Sequence, residues 1–257
     1  MDNQNLYHNS EQKDQKPVKP FGIDVSRWQG KINWDVVKAN PEPVRFCAIR
    51  ATINWGYVDS WFHRNWIEAK RVGIIRGAYH VMFPETSPEK QIDFFLSSIG
   101  KDLGELPLIL DVELDHNRSR SQIETAILQC CTLIKSKTGR PPILYSRAAF
   151  IDYYVTGNNQ PAAWLNEYDW WLAHYSTGAY EHPGPPPLPK GVIRERCIAH
   201  QTTSHGPGIG TESKMMDYNR WQFDLNHLEN YSRGKIPFSL EEKINLLWEA
   251  HPELHKR

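Results

Sequence analysis

Eight short apolar runs, rich in β-branched and aromatic residues, recur along this chain of 257 residues and constrain its fold more than any other feature. The runs fall at 21–25, 44–50, 74–82, 106–113, 142–146, 170–175, 197–202 and 215–219. Their starts are about twenty to thirty-five residues apart, close to the size of a strand–helix–strand unit. Amphipathic segments separate most of them, a pattern that favours a parallel sheet of βα units. Eight such strands are enough to close into a barrel.

The segments between these runs predict helices mainly in the first half of the chain. Helices are predicted at 60–72, 88–100 and 119–138. In the last of these, Ser121 and Glu124 stand in the register of a capping box. After residue 155 the helix signal weakens, and five prolines within 178–191 exclude both a helix and a central strand there. We therefore expect the last strands to follow one another without full helices between them.

The two ends of the chain differ in character from this core. Residues 1–20 are polar and are predicted to form a flexible segment, whereas residues 21–234 are predicted to form the barrel. Residues 235–257 predict an amphipathic helix, which opens with a capping box from Ser239 to Glu242. Apolar helix faces are usually buried within the same chain, so we expect this helix to pack on the barrel. Docking of a partner is the alternative.

Composition and charge exclude several classes of function. Thirty Lys and Arg residues balance thirty Asp and Glu residues, so the chain lacks the basic surface that nucleic acids require. No run approaches the roughly 20 apolar residues of a membrane span. The polar N-terminus has no apolar core of the secretory type, and the four cysteines form no CxxC motif. These features predict reduced, buried thiols and a chain made in the cytoplasm.

The segment LPLILDVEL, residues 106–114, holds the most informative pair of side chains. Residues two apart in a strand point to the same face, so the carboxylates of Asp111 and Glu113 are expected to project together where the strand ends. Two carboxylates this close perturb each other, so that one can hold a proton near neutral pH while the other is ionised. Such a division suits an acid catalyst beside an anionic stabiliser in glycoside hydrolysis. A pair of solvated acids is the alternative.

Two further aspartates are placed to join this pair. Asp24 ends the first apolar run, in FGIDVSRWQG, and Asp217 lies in the last one, in MMDYNRW. If the barrel closes, strands one, four and eight bring all four acids to a common rim, which is where barrel enzymes carry their catalytic residues. Several tyrosines and tryptophans also fall at strand ends. The pattern therefore indicates an acidic cleft, lined by aromatic rings, for sugars.

In order and spacing, these motifs resemble those of the glycoside hydrolase family 25 lysozymes, the Chalaropsis-type muramidases of bacteria, fungi and phage endolysins. The resemblance covers about residues 20–228. Its parts are GIDVSRWQGKINW, AIRAT followed by Asp59, Phe62 and Asn65, GAYHVMFP, LPLILDVE, ILYS, WWLAHYS, HQTTSHGPGIG and MMDYNRW. The fold implied is α/β, an irregular TIM-like (β/α) barrel with fewer helices than strands.

The resemblance also implies a role for each acid. Glu113 corresponds to the proton donor to the glycosidic oxygen, and Asp111 to the residue that positions or polarises the reacting centre. Asp24 and Asp217 complete the family's acidic cluster. The aromatic residues expected to contact sugar rings are Tyr79, Tyr145, Trp171, Tyr175 and Trp28.

The substrate implied is the β-1,4 bond between N-acetylmuramic acid and N-acetylglucosamine in peptidoglycan, so the expected partner is a glycan strand. No cofactor and no metal ion are implied. We expect a monomer that acts on the cell wall, either after release from the cytoplasm, as phage endolysins do, or after non-classical export.

The chain departs from the family pattern at two places. His200-Gln201-Thr202 stands where the family commonly shows W-Q-Y, and the sequence NWGYVD at 54–59 replaces a short glycine-acid turn. The sequence leaves two other functions open. A metal-dependent barrel hydrolase could use His80, His200 and His205 together with the same aspartates, although the spacing of the histidines is unlike that of known metal ligands. A non-catalytic glycan-binding or virion structural protein on the same barrel is the other.

Overall fold

The strands fall close to the positions that the sequence predicts. The computed structural model describes residues 19–157, 161–175, 181–182 and 184–234. Within these residues the strands are β1 (Phe21–Val25), β2 (Val44–Ile53), β3 (Tyr57–Val58), β4 (Ile75–Val81), β5 (Ile109–Asp111), β6 (Ile143–Ser146), β7 (Asp169–Ala173), β8 (Cys197–Pro207) and β9 (Met215–Trp221).

Six α-helices accompany these strands in the described part of the chain. They are α1 (Trp34–Lys38), α2 (Phe62–Arg71), α3 (Pro88–Ile99), α4 (Arg120–Thr138), α5 (Ala148–Phe150) and α6 (Leu225–Ser232). The three predicted helices correspond to α2, α3 and α4. Between β7 and β9 the only helical segment among the described residues is a 3₁₀ turn at Arg194–Arg196. This confirms that the last strands, β7, β8 and β9, follow one another without full helices.

Eight of the strands close into a barrel. Strand β1 pairs in parallel with β2, and β2, β4, β5, β6, β7 and β8 follow in parallel order. Strand β9 lies antiparallel between β8 and β1 and completes the ring, while β3 extends β2 as an outer hairpin. The structure therefore confirms an irregular α/β barrel with fewer helices than strands.

Two details of the sequence prediction are wrong. Strand β9 is antiparallel rather than part of a fully parallel sheet, because only residues 208–214 connect it to β8, and a parallel crossover requires a dozen residues or more. The capping box of α4 is formed by Ser119 and Gln122, not by Ser121 and Glu124. Ser119 has extended backbone torsions and can cap the helix, whereas Ser121 already lies within its first turn.

The barrel separates two apolar layers that determine where polar side chains can lie. Alternate residues at the start of β5 show this, because Leu110 and the preceding Leu108 pack between the barrel and the helices while Ile109 packs inside the barrel. The interior layer also includes Phe46, Ile143, Trp171 and Trp221. In the same alternation Asp111 faces inward at the end of β5, beyond the apolar interior. The carboxyl ends of the parallel strands are thus left for polar groups.

The predicted N-terminal segment, apart from its last two residues, and the predicted C-terminal helix lie outside the described residues. All four cysteines are buried and free of disulfides, as the sequence predicts. None of the helices in the described ranges is both long and apolar enough to cross a bilayer.

Candidate active site

An open cavity of about 380 Å³ lies at the carboxyl ends of the barrel strands. It is lined by side chains from β1, β2, β4, β5, β6, β7, β8 and β9 and from the turns that follow them. All nine residues that the sequence predicts for the site lie on its wall, namely Asp24, Asp111, Glu113, Asp217, Trp28, Tyr79, Tyr145, Trp171 and Tyr175. Barrel closure therefore brings together side chains that are nearly two hundred residues apart in the chain.

Asp24 and Asp217 form a carboxyl pair across the antiparallel seam of the barrel. They are direct partners in the register of β1 and β9, so both side chains point to the interior. A hydrogen bond joins the two carboxyl groups. Burial, together with the charge of Asp24, raises the pKa of Asp217 to about 9, and burial raises the pKa of Asp24 to about 6. At neutral pH the pair therefore holds one proton and carries one negative charge.

Two amide side chains hold Asp24 in place. Gln201 Nε2 and Asn219 Nδ2 both donate to Asp24 Oδ2, over 2.7 and 2.8 Å. These bonds favour the ionised form and partly oppose the rise in the pKa of Asp24 that burial causes. Within the Asp24–Asp217 pair, the negative charge thus belongs mainly to Asp24 and the proton to Asp217.

Behind these amides lies a layer of aromatic donors. The hydroxyls of Tyr145 and Tyr175 both donate to Gln201 Oε1, over 2.7 and 2.5 Å. Trp171 Nε1 donates to Asn219 Oδ1 over 2.8 Å. Each donor fixes the amide so that its NH₂ group must face Asp24. These three predicted sugar-contacting residues therefore also orient the acidic cluster, and Trp171, which is buried, acts mainly in that way.

Of the cavity acids, Asp111 has the carboxyl group whose charge and hydrogen-bonding capacity the protein compensates least. It is buried at the end of β5, and its Oδ1 accepts no hydrogen bond from the residues that the structure describes. Burial and the charges of Glu113 and Asp24 raise its pKa well above the ordinary value, while Arg50 acts in the opposite direction. An unpartnered buried carboxylate oxygen is costly and is found where a ligand can supply the missing donor.

Glu113 reaches the mouth of the cavity, two residues after Asp111. Its side chain is exposed to the cavity, but the surrounding rim removes enough solvent to raise its pKa. Arg147, which follows the neighbouring strand β6, partly offsets this rise through its positive charge. The Arg147 guanidinium lies over the ring of Tyr175, 5.4 Å from its centre. Glu113 is thus the most exposed of the four acids, and its pKa is raised.

Arg50 contributes the buried positive charge on the cavity wall. Its Nε donates to Asp59 Oδ2 over 2.8 Å, and Asp59 also accepts from the backbone N–H groups of Arg27 and Trp61. Because Asp59 neutralises Arg50, the carboxylates of the cavity receive only part of the benefit of this cation. The Asp59 position was found in the sequence as part of a motif, and its structural role is to anchor Arg50.

The histidines of the rival metal site do not meet at the cavity. His80 is buried on the outer side of β4, between Thr52 Oγ1 and Gln91 Oε1, where burial lowers its pKa to about 4. His200 faces outward from β8, and its Nε2 donates to the backbone carbonyl of His174 over 2.8 Å. His205 hydrogen-bonds Ser204 at the exposed end of β8. Across the described ranges, no cluster of three or more His, Cys, Asp or Glu side chains is arranged to hold a metal ion.

Sequence reasoning missed four residues of the site: Arg50, Arg147, Gln201 and Asn219. Asn219 lies two residues after Asp217 in β9, so strand alternation alone could have placed it on the same face. Gln201 was noted only as the middle of the His-Gln-Thr departure. The parts played by Arg50 and Arg147 depend on contacts between strands that no local pattern reveals.

Comparison with known proteins agrees with this geometry. A family model described as glycosyl hydrolases family 25 matches residues 23–211. The YegX protein of Escherichia coli strain K12, which is described as uncharacterized, is 36% identical over 174 residues, covering 62% of this chain and 62% of YegX. Lysozyme M1 of Streptomyces globisporus is 34% identical over 208 residues, covering 77% of this chain and 67% of that protein.

Among solved structures, the bacterial lysozyme from Streptomyces coelicolor superimposes with a TM-score of 0.72 and 29% identity, covering 86% of this chain and all of that one. The match to this chain spans about three fifths of the length of the YegX proteins. The family match extends from β1 to the turn before β9 and includes three of the four acids of the cavity. On this evidence the chain belongs to glycosyl hydrolases family 25.

Proposed function

We propose that this protein is an N-acetylmuramidase, a lysozyme that hydrolyses the β-1,4 bond between N-acetylmuramic acid and N-acetylglucosamine in peptidoglycan. The observation that carries the proposal is the gathering of Asp24, Asp111, Glu113 and Asp217 around one open cavity. Glycoside hydrolysis needs one carboxyl that holds a proton and others that stabilise positive charge. The raised pKa of Glu113 and the single negative charge of the Asp24–Asp217 pair meet both needs.

Glu113 is the proton donor in this mechanism. Its carboxyl proton moves to the glycosidic oxygen as the bond from that oxygen to the anomeric carbon breaks, which leaves Glu113 ionised. The sugar then develops the positive charge of an oxocarbenium-like transition state. The nearby anionic pair stabilises this charge in a site where burial strengthens electrostatic interactions.

Asp111 orients the N-acetyl group of the reacting sugar. Its unpartnered Oδ1 is an acceptor for the acetamido N–H, and this bond turns the acetamido carbonyl oxygen toward the anomeric carbon. That oxygen attacks the anomeric carbon and forms a cyclic intermediate. Water then opens the intermediate and gives a proton to ionised Glu113, which restores the acid and retains the anomeric configuration.

The exposed and half-buried aromatic rings of the wall bind the sugars on either side of this centre. Trp28 and Tyr79 present ring surface to the cavity, and Tyr175 does so while it also holds Gln201; Tyr145 is buried and contributes mainly through its bond to Gln201. Aromatic side chains bury a large apolar area at low cost in side-chain entropy, which suits the apolar faces of sugar rings. Residues of a single chain complete the cavity, so we propose that a monomer is active.

The relatives support the same substrate. Lysozyme M1 and the structurally similar protein from Streptomyces coelicolor are both lysozymes by description, and each shares more than a quarter of its aligned residues with this chain. We therefore propose that the protein acts on the bacterial cell wall, reached either by release from the cytoplasm or by non-classical export.

Mass spectrometry of the products from purified peptidoglycan tests this function. The wild-type chain is expected to release fragments that carry N-acetylmuramic acid at the new reducing end, in step with the total of reducing groups. Fragments with N-acetylglucosamine at the reducing end would overturn the bond assignment. Binding to peptidoglycan without release of any fragment would instead favour the non-catalytic glycan-binding function.

A further inference from the structure

The turn after β2 and the short strand β3 carry two aromatic residues, Trp55 and Tyr57, that the proposed mechanism does not use. Residues 54–59 have the sequence NWGYVD. The side chain of Trp55 is 59% exposed, and Tyr57 is half-buried. Large apolar side chains that stay exposed together on one edge of a protein commonly mark a binding surface. We call residues 54–59 the rim hairpin.

The rim hairpin is held in a fixed position next to Trp28. The Arg27 guanidinium lies 4.6 Å from the centre of the Trp28 ring and 5.5 Å from that of Tyr57, and its Nη1 donates to the Tyr57 hydroxyl over 3.1 Å. Asp59, at the end of the hairpin, accepts from the Arg27 backbone N–H over 2.9 Å. The rings of Trp28 and Tyr57 are thereby ordered before any ligand arrives, which lowers the entropy cost of binding.

The same hairpin is continuous with the cavity wall. Ile53, the last residue of β2, lines the cavity and pairs with Tyr57 in β3. The backbone N–H of Asn54 donates to the carbonyl of Val81, another wall residue, over 3.0 Å. Trp55 follows at the tip, with Lys90 Nζ 5.7 Å from its ring centre. A chain that leaves the cavity past Trp28 and Ile53 therefore meets the rim hairpin next.

We propose that Trp55 and Tyr57 form an additional sugar-binding subsite, which takes an N-acetylated pyranose of the same glycan strand beyond the sugars held in the cavity. The proposal rests on the proposed function for the presence of a glycan in the cavity. Its occupant follows from continuity, since the next unit of a strand passing Trp28 is another pyranose. Apolar sugar faces stack on exposed aromatic rings. Arg27 and Lys90, whose cationic groups lie over the rings of Tyr57 and Trp55, supply hydrogen-bond donors for the sugar hydroxyls.

Binding of peptide-free glycan oligosaccharides, measured by calorimetry, tests this subsite. The background is the Glu113→Gln chain, so that hydrolysis does not consume the ligand. A tetrasaccharide and an octasaccharide of alternating N-acetylglucosamine and N-acetylmuramic acid are compared. Adding Trp55→Ala and Tyr57→Ala together is expected to weaken octasaccharide binding about tenfold or more, with a much smaller effect on the tetrasaccharide.

Two controls separate a binding role from a structural one. Trp55→Phe with Tyr57→Phe keeps the rings and is expected to restore most of the octasaccharide affinity. Tyr153→Ala removes an aromatic residue that is similarly exposed, at 57%, and that also lies beneath a guanidinium group, that of Arg120. Tyr153 does not line the cavity, so this substitution is expected to change neither affinity.

Equal losses for both oligosaccharides, an unchanged octasaccharide affinity, or no binding of either one would each overturn the subsite. Its failure is distinguishable from failure of the enzyme. If the wild-type chain cleaves peptidoglycan but the hairpin variants keep the same preference for length, only the subsite is wrong. If the Glu113→Gln chain shows the expected preference for length but the wild type releases no fragments, only the hydrolysis is wrong.

Discussion

Two buried carboxylate regions of the same barrel differ in how completely the protein compensates their charge. Asp59 is fully paired, since it accepts from Arg50 and from two backbone N–H groups. Asp24 and Asp217 face each other directly, and Asp111 keeps a buried oxygen that has no donor within the described part of the chain. Asp59 anchors Arg50 and the rim hairpin, whereas the cavity acids repel one another and retain protons.

This difference indicates which acids serve the fold and which serve the reaction. A fold gains nothing from placing carboxyl groups against each other, because burial and like charge both oppose ionisation. Such arrangements persist where a raised pKa is useful to a mechanism. The comparison therefore predicts opposite outcomes for substitutions in the two regions, with activity lost from one and stability from the other.

The largest expected effect is the loss of activity in Glu113→Gln. Removing the acid is expected to reduce the rate of reducing-end release by about 10²- to 10⁴-fold, the usual contribution of general acid catalysis. The melting temperature is expected to stay close to that of the wild type, because the Glu113 side chain is exposed to the cavity. Activity like that of the wild type would reject Glu113 as the acid.

The next effect is a loss of stability in Asp59→Asn. The substitution leaves the buried guanidinium of Arg50 without its counter-charge, which typically costs about 3–5 kcal/mol in the free energy of unfolding. Urea denaturation measures this loss. The matched control is Asp35→Asn, which breaks an exposed ion pair with Arg71 and is expected to change the free energy of unfolding much less. Equal costs for the two variants would contradict the structural role assigned to the Asp59–Arg50 pair.

A gain in stability is expected for Asp217→Asn, by about 1–3 kcal/mol at pH 8. In the folded chain the pKa of Asp217 is raised to about 9 and that of Asp24 to about 6, both above the ordinary 3.8. The folded state therefore binds more protons than the unfolded state between about pH 4 and 9, and wild-type stability falls as the pH rises through this window. The amide cannot titrate, so the substitution removes one of these two protonation equilibria and flattens the slope.

Melting temperatures of the wild type and Asp217→Asn, measured from pH 4 to 9, check this sign. The two curves are expected to diverge as the pH rises, with the variant higher and its activity reduced. Parallel curves would mean that the Asp24–Asp217 pair does not retain a proton.

The smallest expected effect is a shift of the pH profile in Arg147→Gln. Arg147 lowers the pKa of Glu113 through its positive charge, so its removal is expected to raise that pKa. Since Glu113 must be protonated, kcat/KM falls as the pH passes its pKa, and the alkaline limb of the variant is expected at higher pH. Salt should reduce the shift, because Arg147 is exposed. Arg147→Lys keeps the charge and serves as the control; a shift to lower pH would contradict this role.

Local sequence patterns predicted the parts of the site that depend on strand alternation. The placement of Asp111 and Glu113 follows from an apolar run that ends in two acids, and Asp24 follows from the same logic in β1. The eight strands were visible because each one is an apolar run of β-rich composition. These features are properties of a single segment, so they can be recognised without knowledge of the other segments.

The features that sequence reasoning missed depend on pairs of distant segments. The direct pairing of Asp24 with Asp217 requires an antiparallel β9, whose direction is determined by the length of its connection to β8. The bonds of Gln201 and Asn219 to Asp24 appear only when β8 and β9 close the barrel. The cap of α4 at Ser119 depends on backbone torsions that two nearby serines do not distinguish by sequence alone.

A titration of the Glu113 side-chain carboxyl by carbon-13 NMR in the folded chain tests the central claim most directly. If the cavity makes Glu113 a proton donor, the midpoint of its titration lies above the ordinary glutamate value of 4.5. A midpoint at or below 4.5 would mean that Glu113 is ionised wherever the protein works, and the proposed mechanism would be wrong.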